Sequence, residues 1–245
     1  MIDIGGALNV VLDAQHVSGK PLAVVVAGHN GSGKSTMWYR SLAETLRIPL
    51  INADRMMVSI LPDAHEGFLP DWAAEVRDKD ESWMRVAQNG VQAFVAQALV
   101  HGVPFAMETV FSHWHENPDG SVDTKVDLIR QMQAAGYFVI LLFVGLSSAQ
   151  VSIGRVATRK AEGGHSVEIA KLINRFGRTQ KAIRLAAPVA DAAVFLDNSR
   201  TKKDAFTVCR VQLGDQERFD LRATRAGAPP EIEAWMTKAC PARSS

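Results

Sequence analysis

Four residues near the N-terminus have the types and spacing of a phosphate-binding loop. Gly28, Gly33, Lys34 and Ser35 satisfy G-x-x-x-x-G-K-[S/T] within "AGHNGSGKST". Glycines let the backbone turn where a Cβ would forbid it, so that successive N–H groups point at phosphate oxygens. The whole loop, Gly28, His29, Asn30, Gly31, Ser32, Gly33, Lys34, Ser35 and Thr36, is therefore the expected cofactor-binding segment for a nucleoside triphosphate. In this pattern the lysine reaches the β- and γ-phosphates and the Ser35 hydroxyl serves as the protein ligand of Mg²⁺. The bland alternative is a Gly/Ser turn that binds nothing.

Further along, "INAD" places Asp54 after a short apolar run, at the sheet edge where ligands bind in such folds. A carboxylate there can take the proton of an attacking hydroxyl; it can equally cap the helix that begins beside it. "PFAMET" ends in Glu108 and Thr109. Glu108 can hold a substrate hydroxyl, hold Mg²⁺ through water, or stand solvated at a strand end. Arg155 and Arg159 are four apart and share a helix face, as do Arg175 and Arg178 three apart on the next helix. The Gly163-Gly164 break between these pairs suggests a lid that brings arginines to the phosphates. Pairing with surface acids is the alternative for each. His113 and His115 have no third metal ligand at a sensible spacing and are expected in a surface loop beside the substrate. Trp72, Trp83 and Trp114 are expected in the core or in pocket walls, and His165 as a cap or hinge residue.

These residues need a scaffold. "PLAVVVAG" is a β-branched run and the expected central strand, followed by a helix from about 33 to 46. "IPLIN", "PFAMET", "YFVILLFVG" and "DAAVFLDNS" read as four more strands, and "AFTVCRVQ" as one further strand at an edge. Helical signals alternate with them, which implies a parallel sheet covered on both faces: a three-layer α/β/α sandwich in one domain, with a core over about 20–200, an N-terminal helix and a C-terminal edge extension. Val91, Phe94, Val95, Ala98 and Leu99 mark the apolar face of a helix that Gly102 and Pro104 end. The segment from Pro62 to Ser82 and the stretch from Val110 to Thr124 are expected as polar, turn-rich excursions.

The 245 residues carry a formal net charge of +1, against the basic excess of a dedicated nucleic-acid binder. Cys209 and Cys240 form no metal-ligand cluster and suit reduced thiols in the cytoplasm. No signal-peptide pattern opens the chain, and the longest apolar run, Tyr137 to Val144, is far too short to cross a bilayer. No membrane partner is expected.

The stretches "AGHNGSGKST", "INAD", "METVFSH", "RVATRKAEGGHSVE", "INRFGRT" and "VFLDNS", in that order, resemble the zeta-toxin-like family of P-loop kinases. The resemblance implies a P-loop kinase core with a helical lid, using ATP and Mg²⁺. It implies a UDP-activated amino sugar, such as UDP-N-acetylglucosamine, as the acceptor of phosphate at a sugar hydroxyl, and an antitoxin as a possible protein partner. Carried over by position, Lys34 and Ser35 serve ATP and Mg²⁺, and Asp54 is the general base. Glu108 and Thr109, with Ser112 completing Glu-Thr-x-x-Ser, contact the substrate. Arg155, with Arg159 one turn on, supplies the lid arginine at phosphate. The chain departs from the pattern in a longer loop after Ser112, in Glu168 where relatives carry proline, and in the lack of an unambiguous second lid arginine. Two other readings stay open on the residues alone: a polynucleotide 5′-hydroxyl kinase, and a non-catalytic nucleotide-binding module that signals to a partner.

Overall fold

The computed structural model describes residues 2–62, 69–161 and 167–242. A seven-stranded sheet in the order β2-β3-β1-β6-β7-β8-β9 runs through it. The strands are β1 (Leu22–Gly28), β2 (Leu50–Ile51), β3 (Phe105–Thr109), β6 (Phe138–Gly145), β7 (Ala192–Asp197), β8 (Thr207–Leu213) and β9 (Gln216–Asp220). The first five are parallel; β8 and β9 are antiparallel additions. A separate hairpin, β4 (Trp114–Glu116) with β5 (Val122–Thr124), stands where a plain loop was expected.

Every residue of β1 is buried, as a strand covered on both faces requires. The pleat sorts them: Ala23, Val25 and Ala27 enter one core and Leu22, Val24 and Val26 the other. The first core is closed by α6 (Glu81–His101), α7 (Val126–Ala134), α9 (Ile169–Ala186) and α10 (Pro230–Ala239), through residues such as Val95, Ile129, Ile183 and Trp235. The second is closed by α1 (Ile4–Ser18), through Ala7, Leu8 and Val11, and by the helical run after the phosphate loop, through Trp38 and Leu42. That run is α2 (Lys34–Met37), a π-helical turn (Trp38–Leu42) and α3 (Ala43–Leu46), not one regular helix.

Several expectations are corrected. The polar segment after Pro62 contains a helix, α5 (Asp71–Lys79), and Asp80 then caps α6 by accepting from the Ser82 and Trp83 amides at 2.8 and 3.1 Å. Phe94 lies on the solvent side of α6 rather than in its apolar stripe. The expected edge strand, β8, lies inside the sheet, and β9 is the edge. Trp72 is exposed on α5, against expectation, whereas Trp114 packs against the first core as expected; none of Trp72, Trp83 and Trp114 lines the main cavity. His165 and the Gly163-Gly164 break lie outside the described residues, so the turn that joins α8 (Ala149–Ala161) to α9 does too. Among the described residues, no helix is long and apolar enough to cross a membrane.

Candidate active site

The phosphate loop leaves the C-terminal end of β1, between β3 and β6, at the point where the sheet's strand order reverses. Its first glycine has no substitute. Gly28 sits at φ 154°, and a Cβ there would lie 2.5 Å from the Val144 carbonyl oxygen. At the other end Gly33 has φ 88°, and a Cβ would lie 2.7 Å from Asn198 Nδ2. The loop is held from both sides. Ser152 Oγ on α8 donates to the Asn30 carbonyl at 2.7 Å, and Asn198 Nδ2 donates to the Ser32 carbonyl at 2.9 Å.

Asn198 is itself fixed by an anchored turn after β7. Asp197 is fully buried and accepts from Ser199 N, Ser199 Oγ and the Trp235 indole Nε1 at 3.0, 2.7 and 3.0 Å. Ser199 Oγ accepts from Ser147 N at 2.7 Å. The indole ring packs on Gly145, where a Cβ would come within 2.8 Å of it. The C-terminal helix α10 thus braces the phosphate loop, a role for the residues after Ser199 that sequence patterns did not signal.

Lys34 is buried and donates to the carbonyls of Gly28 and His29 at 3.1 and 3.0 Å. Its Nζ lies 3.8 Å from Glu108 Oε1. Burial lowers its affinity for a proton, and Glu108 and Asp54 oppose that shift. Glu108 also accepts from Ser35 Oγ at 2.7 Å. This hydroxyl–carboxylate pair offers hard oxygen donors of the kind that suit Mg²⁺ beside phosphates. Among the described residues, no group of three or more His, Cys, Asp or Glu could hold a metal by itself.

Asp54 lies on α4 (Ala53–Ser59), lines the cavity and is exposed. It is not the helix cap: Asn52 is, accepting from the Arg55 amide at 3.3 Å. Asp54 is therefore free of the structural duty that competed with a chemical one. Its helix is tied to the π-helical turn by Arg55, which donates to the Tyr39 hydroxyl and lies 4.7 Å from the Tyr39 ring centroid.

The cavity that joins these groups has a volume of about 1530 Å³. Thr109, Ser112 and His113 line it, and His115 points into solvent from β4. Between them Phe111 is buried with φ 61°, a left-handed conformation that costs a non-glycine residue of order 1–3 kcal/mol and is common at functional sites. Thr109 Oγ1 accepts from the Phe111 amide, which fixes this turn.

The two expected lid arginines part company. Arg159 lines the cavity and its charge reaches Lys34. Arg155 does not line it; a Cβ on Gly31 would lie 3.1 Å from the Arg155 Cβ, and Arg155 feels the attraction of Asp197. Arg175 and Arg178 both line the cavity.

His29 is a further residue whose role the loop pattern did not reveal. Its ring stacks on Phe176 of α9, with centroids 3.9 Å apart and planes within 15°. Thr179 Oγ1 donates to the Val110 carbonyl at 3.2 Å, so α9 is seated on the loop and on the strand end together. The imidazole is buried, and neither ring nitrogen has a partner among the described residues. Desolvation, aided by the Lys34 charge, lowers its pKa from 6.5 to about 3. The folded protein thus binds fewer protons than the unfolded chain between these values. Its stability from His29 is complete above pH 6.5 and falls as the pH drops toward 3, by on the order of 5 kcal/mol in total. Urea midpoints measured from pH 7 to 3.5 are expected to show this slope, and His29→Leu is expected to flatten it. An unchanged slope in the variant would rule out His29 as its source.

Comparison with known proteins decides the family. The sequence model described as Zeta toxin matches residues 9–203. The chain belongs to the zeta-toxin family. No curated protein matches it. Among solved structures it is similar to one from work on the PezAT chromosomal toxin–antitoxin system of Streptococcus pneumoniae, at 10% identity and a TM-score of 0.52. That match covers 100% of this chain and 91% of the other. It is also similar to AvrRxo1-ORF1:AvrRxo1-ORF2 with sulphate ions, at 13% identity and a TM-score of 0.59 over 97% and 70% of the two chains. The same complex with ATP gives 12% identity and 0.59 over 97% and 69%. At these identities the likeness concerns fold, and the fold of this zeta-toxin-family chain is that of a P-loop kinase.

Proposed function

We propose that this zeta-toxin-family chain transfers the γ-phosphate of ATP to a hydroxyl of a small acceptor, with a UDP-activated amino sugar as the acceptor class its family resemblance favours. The observation that carries the reading is the meeting of Lys34, the Ser35–Glu108 pair, Asp54 and Arg159 around one cavity. A module that only bound nucleotide would have no use for a carboxylate beside the phosphates that neither caps its helix nor ligates the loop.

In the proposed reaction the acceptor oxygen bonds to the γ-phosphorus as the bridge to the β-phosphate breaks, and ADP departs with the bonding pair. Asp54 takes the hydroxyl proton. Lys34 exchanges the Gly28 and His29 carbonyls for phosphate oxygens, and Arg159 meets the charge spread over the transferring group. The Ser35 hydroxyl and Glu108 would hold Mg²⁺, which when bound neutralises phosphate charge. Thr109 and Ser112 border the acceptor side. Arg155, outside the cavity lining, is assigned no part in transfer. A protein inhibitor is the matching partner, since the PezAT work concerns a toxin–antitoxin system.

Labelled ATP offered with UDP-sugars, nucleosides and oligonucleotides tests the proposal. A phosphorylated UDP-sugar, lost in Lys34→Ala, is the expected result. Transfer to an oligonucleotide alone would replace the acceptor, and ATP binding without transfer to any compound would refute the kinase reading for these acceptors.

A further inference from the structure

Tyr39 and Arg55 touch no reacting group in the transfer proposed above, yet together they bridge its two ends. Tyr39 follows Lys34 on the same helical run, inside the π-helical turn Trp38–Leu42. Trp38 and Leu42 are both buried in the second core, and the turn closes with the Ala43 amide on the Trp38 carbonyl. Tyr39, between them, is turned outward and half-exposed. A single π turn interrupts the regular bonding of a helix and recurs at functional sites. Here it sends an aromatic ring from the helix of the phosphate loop to α4. The Tyr39 hydroxyl accepts from Arg55 Nη1, and the guanidinium lies 4.7 Å from the ring centroid. One ring therefore makes both a hydrogen bond and a cation–π contact with one planar cation.

Arg55 directly follows Asp54. Their helix needs holding from outside. It has seven residues and follows β2, a two-residue strand at the edge of the sheet. On one side Met57 is buried, and Met56 Cε lies 2.9 Å from where a Cβ on Gly90 of α6 would stand. These contacts seat α4 on α6, whose Gln88, Val91 and Gln92 line the cavity away from the phosphate loop. The Tyr39–Arg55 contact ties α4 instead to the run that begins at Lys34. Asp54 and Lys34 are close enough for their charges to interact. A general base works only within hydrogen-bond reach of its proton, and a misplacement of about 1 Å can cost about 10²-fold in rate.

We infer that Tyr39 and Arg55 are positioning residues: their clasp sets the place of the Asp54 carboxylate relative to the phosphate loop. The consequence for transfer rests on the kinase reading; the hold on α4 does not.

Transfer from labelled ATP to UDP-N-acetylglucosamine by the full chain tests the consequence. Tyr39→Ala is expected to lower kcat by roughly ten- to a hundredfold and to leave the KM for ATP within about twofold. Tyr39→Phe keeps the ring beside the guanidinium and is expected to recover most of the rate. In an Asp54→Asn background, Tyr39→Ala is expected to cost little more, because no base is left to misplace. An equal fold loss in both backgrounds would overturn the inference, and so would a rise in the KM for ATP with kcat unchanged. The hold on α4 is read separately, by amide hydrogen exchange of residues 53–59. Tyr39→Ala is expected to speed that exchange by at least about fivefold, with Tyr39→Phe near wild type. Unchanged exchange in Tyr39→Ala overturns the clasp whether or not the chain transfers phosphate. A wild-type chain that phosphorylates no acceptor, with exchange that does respond to Tyr39→Ala, upholds the clasp and removes the kinase reading alone.

Discussion

Asp54→Asn is expected to slow phosphoryl transfer by roughly 10²–10⁴-fold, the usual contribution of a positioned general base, while ATP affinity is retained. Several features make the substitution a clean one. Asp54 is exposed, so the neutral amide takes its place without a packing change. Asn52 caps α4, so the helix keeps its start. Arg55 holds α4 to Tyr39 independently of Asp54. The loss should therefore appear in kcat and not in the melting temperature. A fall in ATP affinity that matches the fall in rate would show instead that Asp54 acts on Lys34, whose charge it supports.

Asp197→Ala is expected to cost at least about 3 kcal/mol of stability, because it strands buried donors on Trp235 and Ser199 and removes a charge that Arg200 faces at 3.8 Å. In a chain of this size that corresponds to a fall of roughly 10 °C in melting temperature. ATP affinity should fall as well, since Asn198 reaches the Ser32 carbonyl only while the turn is held. Trp235→Phe removes one of these bonds and keeps the ring on Gly145, so its cost should be smaller, about 1–2 kcal/mol. Equal effects of the two variants would mean that the indole bond alone holds the turn. Melting of Asp197→Ala close to wild type would deny the bracing altogether.

The parallel half of the fold was legible because strands buried on both faces must be continuous apolar runs, and "PLAVVVAG" and "YFVILLFVG" are such runs. The phosphate loop was legible because its chemistry lies within eight consecutive residues. The rest depended on partners distant in sequence. β9, "QERFD", is mostly charged because it is an edge with one side in water, and it carries no apolar alternation. The hairpin strands are three residues each, too short for a period to show. Arg155 and Arg159 do share a face. A turn of helix, however, displaces them by more than 5 Å along its axis, enough to put one beside the loop and the other in the cavity. Asp197 in "LDNS" resembled a strand end, and its indole partner lies on another element near the end of the chain.

The brace of α10 on the phosphate loop also sets an order in time. Translation delivers residues 28–35 early, and they can join β3 and β6 as those strands emerge. The turn that holds Asn198 against Ser32 is complete only when Trp235 has left the ribosome and reached Asp197. A nascent chain therefore carries an unfinished nucleotide site until α10 has been made, and a product that stops short of α10 lacks the final support of that loop. The phosphate loop is translated well before the brace that locks it in place.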